Sequence, residues 1–183
     1  MPLTTLDTNS ALILIDLQKG ITGLPTVHPA AEIICRAAQL ARVFRERSLP
    51  VVLVHVTARA PGRTEVGVPN VPRGADWAEF VPELEQQSED HIVTKKSWGA
   101  FHGTDLDAYL RQRSVTQVVV GGIATSIGVE STARSAYDLG YNLTTVVDAM
   151  TDRDADAHRL TIEKIFPRMA ETGTTEDVLR LLK

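Results

Sequence analysis

The stretch VVVGGIATSIGVESTARSAY, residues 118–137, decides the fold because it passes from a strand into a helix through small residues. Three consecutive valines are typical of a strand that is covered on both faces, and we expect that strand to end at Gly121-Gly122. Beyond the turn, apolar and small residues recur at the spacing of one helix face, namely Val129, Thr132, Ala133, Ala136 and Tyr137. Gly140 is expected to end this helix.

The turn between this strand and helix predicts a ligand site. Its residues, IATSIG at 123–128, include no bulky polar side chain, and Thr125 or Ser126 could cap the free N–H groups at the helix start. A helix start of this kind can bind an anion or an oxyanion. Ala124 and Thr125 are therefore candidate substrate-binding residues.

The rest of the chain alternates strands with helices. Strands are predicted at residues 11–15, 51–56, 91–93, 118–120 and 142–147, with a short sixth strand at 169–171. Helices are predicted at residues 30–47, 104–113 and 154–166 and from 174 onward; Thr104 and Asp107 would form a capping box for the second. We therefore expect an α/β fold, with a doubly wound, mainly parallel six-stranded sheet and helices on both faces. With 183 residues, 43% of them apolar, one domain over 1–183 is expected.

Composition limits the partners of the protein. The net charge is −4 and no basic cluster exceeds Lys95-Lys96, which argues against nucleic acid and anionic membrane surfaces. No apolar run approaches a membrane span, and the first residues lack the pattern of a signal peptide, so we expect a cytoplasmic protein that binds a small molecule. The single Cys35 is predicted to be an inert structural thiol, and His158 to be solvated or to cap a helix. No metal or cofactor is predicted.

Two charged residues follow predicted strands and are candidate catalytic residues. Asp16 comes directly after the first strand, where doubly wound sheets place their chemistry. Lys95 follows the third strand, where a lysine is costly unless its ammonium group meets a carboxylate or an anion, and Asp16 could supply that carboxylate. Two structural alternatives remain open, because Asp16 could cap the following turn and Lys95 could extend to the surface.

The longest irregular segment, residues 57–82, contains several prolines and glycines. Segments of this length are usually functional or disordered, and we expect either a lid or a subunit contact. Arg59 and Arg63 could bind a substrate carboxylate there, although solvated arginines fit the pattern equally well. Trp77 and Phe80 should pack on the domain or on a partner, and we predict a homo-oligomer.

Three motifs resemble the isochorismatase-like (cysteine hydrolase) superfamily: DLQ at 16–18, TKKSWGAF at 94–101 and GGIATSIGVESTARSA at 121–136. The resemblance implies the strand order 3-2-1-4-5-6, which brings Asp16, Lys95 and the turn around Gly128 to one crevice. It also implies a catalytic role for Asp16 and Lys95, with Gly128 at the position of the usual nucleophilic cysteine. Our candidate substrate-binding residues are Gln18, Arg59, Trp98, Phe101, Ala124 and Thr125.

Gly128 removes the thiol nucleophile, so no thioester can form, and neither Ser126 nor Ser131 has a histidine or glutamate placed to activate it. The chain resembles the subset of isochorismatases that carry glycine here and hydrolyse a vinyl ether by acid catalysis and water addition. This implies that Asp16 protonates the enol-ether carbon while Lys95 holds the substrate or water. Burial would raise the pKa of Asp16 and Lys95 would lower it; the sequence leaves open which effect wins.

The same residues bear on other activities. A thiol-independent amide or carbamoyl hydrolase and a catalytically inactive binding or assembly protein remain open. The nicotinamidase branch carries an Asp-x-His metal site after the second strand, where this chain has His55-Val56-Thr57, so neither a metal nor nicotinamide is predicted. Dinucleotide binding is disfavoured because the first strand is followed by DLQKG and not by GxGxxG.

Overall fold

A computed structural model of the protein describes residues 2–67 and 74–182. Six strands form one sheet: β1 (Ser10–Ile15), β2 (Val51–Val56), β3 (His91–Lys95), β4 (Gln117–Ile123), β5 (Asn142–Thr151) and β6 (Glu171–Gly173). Their order is β3-β2-β1-β4-β5-β6, and every neighbouring pair is parallel. The predicted doubly wound α/β fold and its strand order are confirmed.

Helices cover both faces of the sheet. They are α1 (Lys19–Thr22), α2 (Ala30–Glu46), α3 (Leu106–Gln112), α4 (Glu130–Asp138), α5 (Ala155–Leu160) and α6 (Thr175–Leu181). Alternate β1 side chains point to opposite faces, so Leu12 and Leu14 pack in the same core cluster as α2, whereas Ile13 packs in the cluster that includes α3 and α4. Within the described part of the chain, no helix is long and apolar enough to cross a membrane.

The strands run further than the sequence predicts. Gly121 and Gly122 do not end β4, because they pair with Leu14 and Ile15 of β1. A Cβ atom on Gly122 would lie 2.1 Å from the carbonyl oxygen of Ile15, so the glycine permits the close approach of two central strands. Similarly, β5 continues to Thr151 rather than ending at residue 147, and β6 lies two residues later than expected.

Two helix predictions are wrong. Thr104 does not head a capping box: α3 begins after Asp105 without a side-chain cap, and the Thr104 hydroxyl donates to the Ala100 carbonyl at 2.6 Å. Asp107 instead accepts from the Tyr141 hydroxyl at 2.7 Å. Tyr137, predicted on the buried face of α4, is 53% exposed, whereas the other four predicted positions are buried.

Further differences concern α2 and α5. Cys35 lies on the exposed face of α2, so the prediction of a structural thiol is wrong. The helix predicted over residues 154–166 starts as expected, with the Asp154 side chain accepting from two backbone N–H groups. After α5 it widens into a π turn at Thr161–Ile165 and then tightens into a 3₁₀ turn at Phe166–Arg168, so it is not one regular helix.

The second part of the 57–82 segment, residues 74–82, packs on the domain. The backbone N–H groups of Lys19 and Gly20 donate to the carbonyls of Glu79 and Trp77 at 2.9 and 3.0 Å. A Cβ atom on Gly20 would lie 2.0 Å from the Trp77 ring, so only glycine admits this contact. Residues 68–73 lie outside the described chain, and the choice between a lid and a subunit contact stays a prediction.

Candidate active site

Asp16 and Lys95 form a buried ion pair at the carboxyl ends of the strands. Asp16 directly follows β1, and Lys95 is the last residue of β3. The Lys95 ammonium lies 2.7 Å from Asp16 Oδ2 and also donates to the Ser97 carbonyl at 3.3 Å. Asp16 is 6% exposed and Lys95 2%. The structure therefore brings together the two residues that the sequence places after separate strands, at the edge expected for chemistry.

The Asp16 carboxylate is incompletely bonded. Its Oδ1 atom is buried and has no hydrogen-bond partner within residues 2–67 and 74–182. Burial raises the pKa of Asp16 to about 6, although the neighbouring Lys95 ammonium acts in the opposite direction. Desolvation therefore outweighs the attraction of Lys95, which answers the question that the sequence left open. A carboxyl group with this pKa can both hold and release a proton near neutral pH.

Gly128 lies beside the Asp16 carboxylate of this pair. It belongs to a π turn, Thr125–Val129, that leads from β4 into α4. A Cβ atom on Gly128 would lie 3.2 Å from Asp16 Oδ2 and 2.9 Å from Ile15 Cγ2. Asp16 thus bonds to Lys95 and faces the Cβ position of Gly128, so the three residues that the resemblance brings to one crevice lie around one carboxylate. A side chain at position 128 would point at the Asp16 carboxylate, but the Ile15 methyl group would have to shift to admit it.

The start of this turn is held by an internal carboxylate. Both the backbone N–H and the hydroxyl of Ser126 donate to Asp152 Oδ2, at 2.7 and 2.8 Å. Asp152 follows β5, is 2% exposed, and its other oxygen accepts from the N–H of Arg153 at 2.7 Å. The helix is preceded by Ala124, and neither Thr125 nor Ser126 caps it. The Ser126 N–H that could have bound an external anion is therefore already used.

Thr125 and His158 complete this arrangement. Thr125 is fully buried, and its hydroxyl lies 2.8 Å from Nδ1 of His158. His158 is 8% exposed, so the expectation that it is solvated or caps a helix is wrong. Sequence reasoning missed Asp152 as well. Asp152 could have been found by the argument used for Asp16, since both follow a strand at the carboxyl edge of the sheet.

Known proteins resemble this chain over nearly its whole length. The family model described as the isochorismatase domain matches residues 10–177. The chain belongs to the isochorismatase family. It is 42% identical to the uncharacterised isochorismatase family protein YwoC of Bacillus subtilis, covering 95% of this chain and 94% of YwoC. A solved isochorismatase family protein from Burkholderia thailandensis has a TM-score of 0.93 and 42% identity, with 97% of each chain covered. Maleamate amidohydrolase of Pseudomonas putida is 25% identical, covering 94% of this chain and 86% of that enzyme.

Two of the candidate substrate-binding residues in this isochorismatase family member bond to the protein itself. Gln18 is fully buried; its amide group donates to the carbonyls of Val56 and Trp77 and accepts from the N–H of Val56. Arg59 donates to the Gly67 carbonyl at 2.7 Å. Gln18 thus joins β2 to the segment before Phe80, and Arg59 braces its own loop. A role for either in substrate binding stays a prediction.

The remaining candidates differ in exposure. Trp98 is 62% exposed, Phe101 is half-buried against Tyr141 with ring centroids 6.1 Å apart, and Ala124 is half-buried. Their contacts with a substrate also stay predictions. Among the residues described, no three side chains of His, Cys, Asp or Glu are grouped so that they could hold a metal ion. His55 stands near the position where the nicotinamidase branch carries its metal site. Here its Nδ1 lies 2.7 Å from the Ala78 carbonyl oxygen, and its Nε2 lies 2.7 Å from the Thr94 hydroxyl oxygen.

Proposed function

We propose that this isochorismatase family member hydrolyses the vinyl ether bond of a small carboxylated molecule, with Asp16 as the acid and without a covalent intermediate. One observation carries the proposal. The buried Asp16 carboxyl, whose pKa is raised to about 6, is held by Lys95 and faced by Gly128 instead of by a nucleophilic side chain. Such a group can protonate carbon at near-neutral pH, because its acid form is present in useful amounts.

The chemistry balances with one water molecule. The Asp16 proton adds to the terminal carbon of the enol ether, and the ether carbon becomes an oxygen-stabilised cation. Water adds to that carbon and loses a proton, which returns to Asp16. The resulting hemiketal then loses its hydroxyl proton and breaks the carbon–oxygen bond to the leaving group, and the departing oxygen takes up a proton, which gives a ketone and an alcohol. Lys95 would hold the substrate carboxylate or the attacking water, since its ammonium group lies beside the acid.

A serine mechanism is less consistent with the contacts. The Ser126 hydroxyl does have a carboxylate neighbour, because it donates to Asp152 at 2.8 Å. That carboxylate also accepts backbone N–H groups from Ser126, Arg153 and Asp154. Both oxygens of Asp152 are thus already engaged by backbone N–H groups, so this carboxylate is better explained as a support for the turn than as a base for the hydroxyl.

Amide hydrolysis is the second candidate, favoured by the similarity to maleamate amidohydrolase across 94% of this chain. In that reaction Asp16 would act as a base in its charged form. It would take a proton from water attacking the amide carbon and would pass it to the leaving nitrogen. The two reactions require opposite protonation states of Asp16, so their dependence on pH separates them.

A substrate screen tests the proposal. Purified protein is incubated with isochorismate, other enol-pyruvyl ethers, N-carbamoyl compounds and nicotinamide, and the release of pyruvate and of ammonia is measured. We expect pyruvate from an enol ether and no ammonia. Ammonia alone would favour the amide hydrolase, and binding without turnover of any compound would favour a binding protein.

Alkylation tests whether the reaction uses a catalytic thiol. Iodoacetamide should modify the exposed Cys35 and leave turnover unchanged, because Cys35 lies on the outer face of α2. No substrate-derived mass should be trapped on the protein. An acyl adduct on a serine would overturn the non-covalent mechanism.

A further inference from the structure

We propose that His158 and Thr125 are positioning residues that hold the Gly128 turn against Asp16, a role that rests on the proposed function. Within residues 2–67 and 74–182, neither side chain forms a hydrogen bond with Asp16 or Lys95. Thr125 is fully buried and begins the Thr125–Val129 turn, and His158 projects to it from α5. The pair would act on the reaction through the position of the turn.

The contacts at the start of the turn come from one segment. The Thr125 hydroxyl lies 2.8 Å from His158 Nδ1, and the next residue, Ser126, donates twice to Asp152. Asp152 and His158 lie at the end of β5 and on α5, so a single segment holds both positions. Two residues after Ser126, Gly128 faces the Asp16 carboxylate, where an added Cβ would lie 3.2 Å from Oδ2. A shift of α5 would therefore move the wall of the acid site.

The direction of the Thr125–His158 hydrogen bond depends on a neutral ring. Burial lowers the pKa of His158, the nearby His28 lowers it further, and Asp152 opposes both. These two residues, from the segment before α2 and from the end of β5, face the ring; His28 lies 4.9 Å away between ring centroids. On the far side, Glu130 of α4 accepts from Thr161, one turn after His158. The tautomer with its hydrogen on Nε2 satisfies both groups: Nδ1 then accepts from the Thr125 hydroxyl, which has no other acceptor within the described residues.

Protonation of His158 would reverse this hydrogen bond. Nδ1 would then donate to the Thr125 oxygen, and the hydroxyl hydrogen would need another acceptor. Within the described ranges the structure gives this hydroxyl no other partner, and Thr125 has no solvent exposure. A buried donor without an acceptor is costly, so the turn would shift to relieve it. Displacements of about 1 Å near reacting groups can lower rates by up to about 100-fold.

Five variants, one of them a surface control, separate positioning from general stability. Thr125→Val removes the hydroxyl and keeps the shape, whereas Thr125→Ser keeps the hydroxyl. His158→Asn places an amide near the position of Nδ1, whereas His158→Gln places it near Nε2. His102→Asn, at an exposed histidine, is the surface control. We expect Thr125→Val and His158→Gln to lower kcat by about tenfold or more with KM within about twofold, and the other three to stay within about threefold of wild type.

The pH profile gives a second readout that stability alone would not move. In the wild type, kcat should fall on the acid side as His158 becomes protonated. This acid limb should be lost in Thr125→Val, which has no hydroxyl hydrogen to leave unpaired. Wild-type kcat in folded Thr125→Val and His158→Gln would overturn the proposal, as would a Thr125→Ser variant that is as impaired as Thr125→Val.

A measurement without turnover keeps this proposal separate from the proposed function. The carbon resonance of the Asp16 carboxyl is titrated by NMR in the wild type and in folded variants. If the turn shields Asp16, Thr125→Val should lower the Asp16 pKa from about 6 towards 3.8, its ordinary value. An unchanged titration would overturn the positioning role. Absence of hydrolysis with a lowered pKa would instead overturn only the proposed reaction. Should Thr125→Val fail to fold, His158→Gln and His158→Asn provide the same comparison.

Discussion

Asp16 and Asp90 are both buried carboxylates paired with a cation, yet they are bonded differently. Asp16 lies at the carboxyl ends of the parallel strands, and Asp90 lies at their amino ends. Asp90 precedes β3 at the amino edge. Arg45 donates to both of its oxygens, at 2.9 and 2.7 Å, and the Gln87 N–H donates at 2.8 Å. Asp16 follows β1 at the carboxyl ends of the strands, and within residues 2–67 and 74–182 its carboxylate accepts only from Lys95, on one oxygen. The same fold satisfies one carboxylate fully and leaves the other with a free oxygen.

The choice of cation explains part of this difference. The Arg45 guanidinium is a planar fork that matches a carboxylate and fixes its orientation. The Lys95 ammonium is a point charge that binds one oxygen and leaves the second without a partner. The Asp90 pair is thus built to stabilise the fold, and the Asp16 pair keeps an oxygen available for a ligand or a proton.

The largest expected effect is on activity at Asp16. Asp16→Asn should lower kcat/KM by about 1000-fold, because the amide cannot donate the acid proton. Asp90→Asn should leave the kcat/KM of folded protein unchanged, since Asp90 lies at the opposite edge. Steady-state rates on the substrate found in the screen measure both. Activity of Asp16→Asn within tenfold of wild type would end the acid role.

Dependence on pH should be the next largest effect. If the acid form of Asp16 is required, kcat/KM should fall about tenfold for each pH unit above about 6. Stability should follow the same group: a carboxyl whose pKa is raised on folding stabilises the folded state below its ordinary pKa of 3.8, and this contribution is lost as the pH rises through about 6.

Urea denaturation at several pH values measures this contribution. Asp16→Asn, which does not titrate, is the matched control and should lack this part of the pH dependence. A rate that instead rises with pH through the same range would contradict the acid mechanism and favour amide hydrolysis.

The loss of stability should be larger at Asp90 than at Asp16, the reverse of the order expected for activity. Asp90→Asn should lower the free energy of unfolding by about 3 kcal/mol, because it breaks the buried contact with Arg45 and leaves that guanidinium poorly paired. Asp16→Asn should cost less, about 1 kcal/mol, because the amide oxygen still accepts from Lys95 and no carboxylate is buried. Chemical denaturation at one pH gives both values. Equal losses would mean that Asp16 is as structural as Asp90.

A smaller effect is expected at Gly128. Gly128→Ala should cost about 1–2 kcal/mol, because its methyl group would lie 2.9 Å from Ile15 Cγ2. Gly62→Ala is the matched control, since an added Cβ there meets nothing within 4 Å, and it should change stability by less than about 0.5 kcal/mol. Thermal or urea unfolding measures the two. If Gly128→Ala left the free energy of unfolding unchanged, the Ile15 side chain would be shown to move aside for a Cβ atom at little cost.

The sequence predicted those features that depend on local pattern. Continuous apolar runs located β1 and β2, and β2 has the predicted bounds. The rule that chemistry lies at the carboxyl ends of the strands placed Asp16 and Lys95 at the same end of the sheet, and the strand order implied by the family resemblance brought them to one crevice. Close approach was not predictable: Gly122 has the same local appearance as a turn glycine, and its role depends on the Ile15 carbonyl more than 100 residues away in the chain.

Long-range polar contacts and the degree of burial could also not be predicted from the sequence. The bond between Thr125 and His158 spans 33 residues, and nothing in the spacing of these residues indicates it. The raised pKa of Asp16 depends on how completely the neighbouring side chains exclude water, which only the packed structure provides.

The Asp152 carboxylate at the start of the Ser126 turn has a consequence for competition. A tethered group is present beside its binding partner at a fixed, high effective concentration, whatever the solution contains. A free metabolite anion must displace Asp152 before it can bind the Ser126 N–H, and would leave a buried charge unpaired. Small carboxylates and phosphates are thereby kept from this helix start, so under the proposed function a substrate anion would have to bind elsewhere, beside the Lys95 ammonium group.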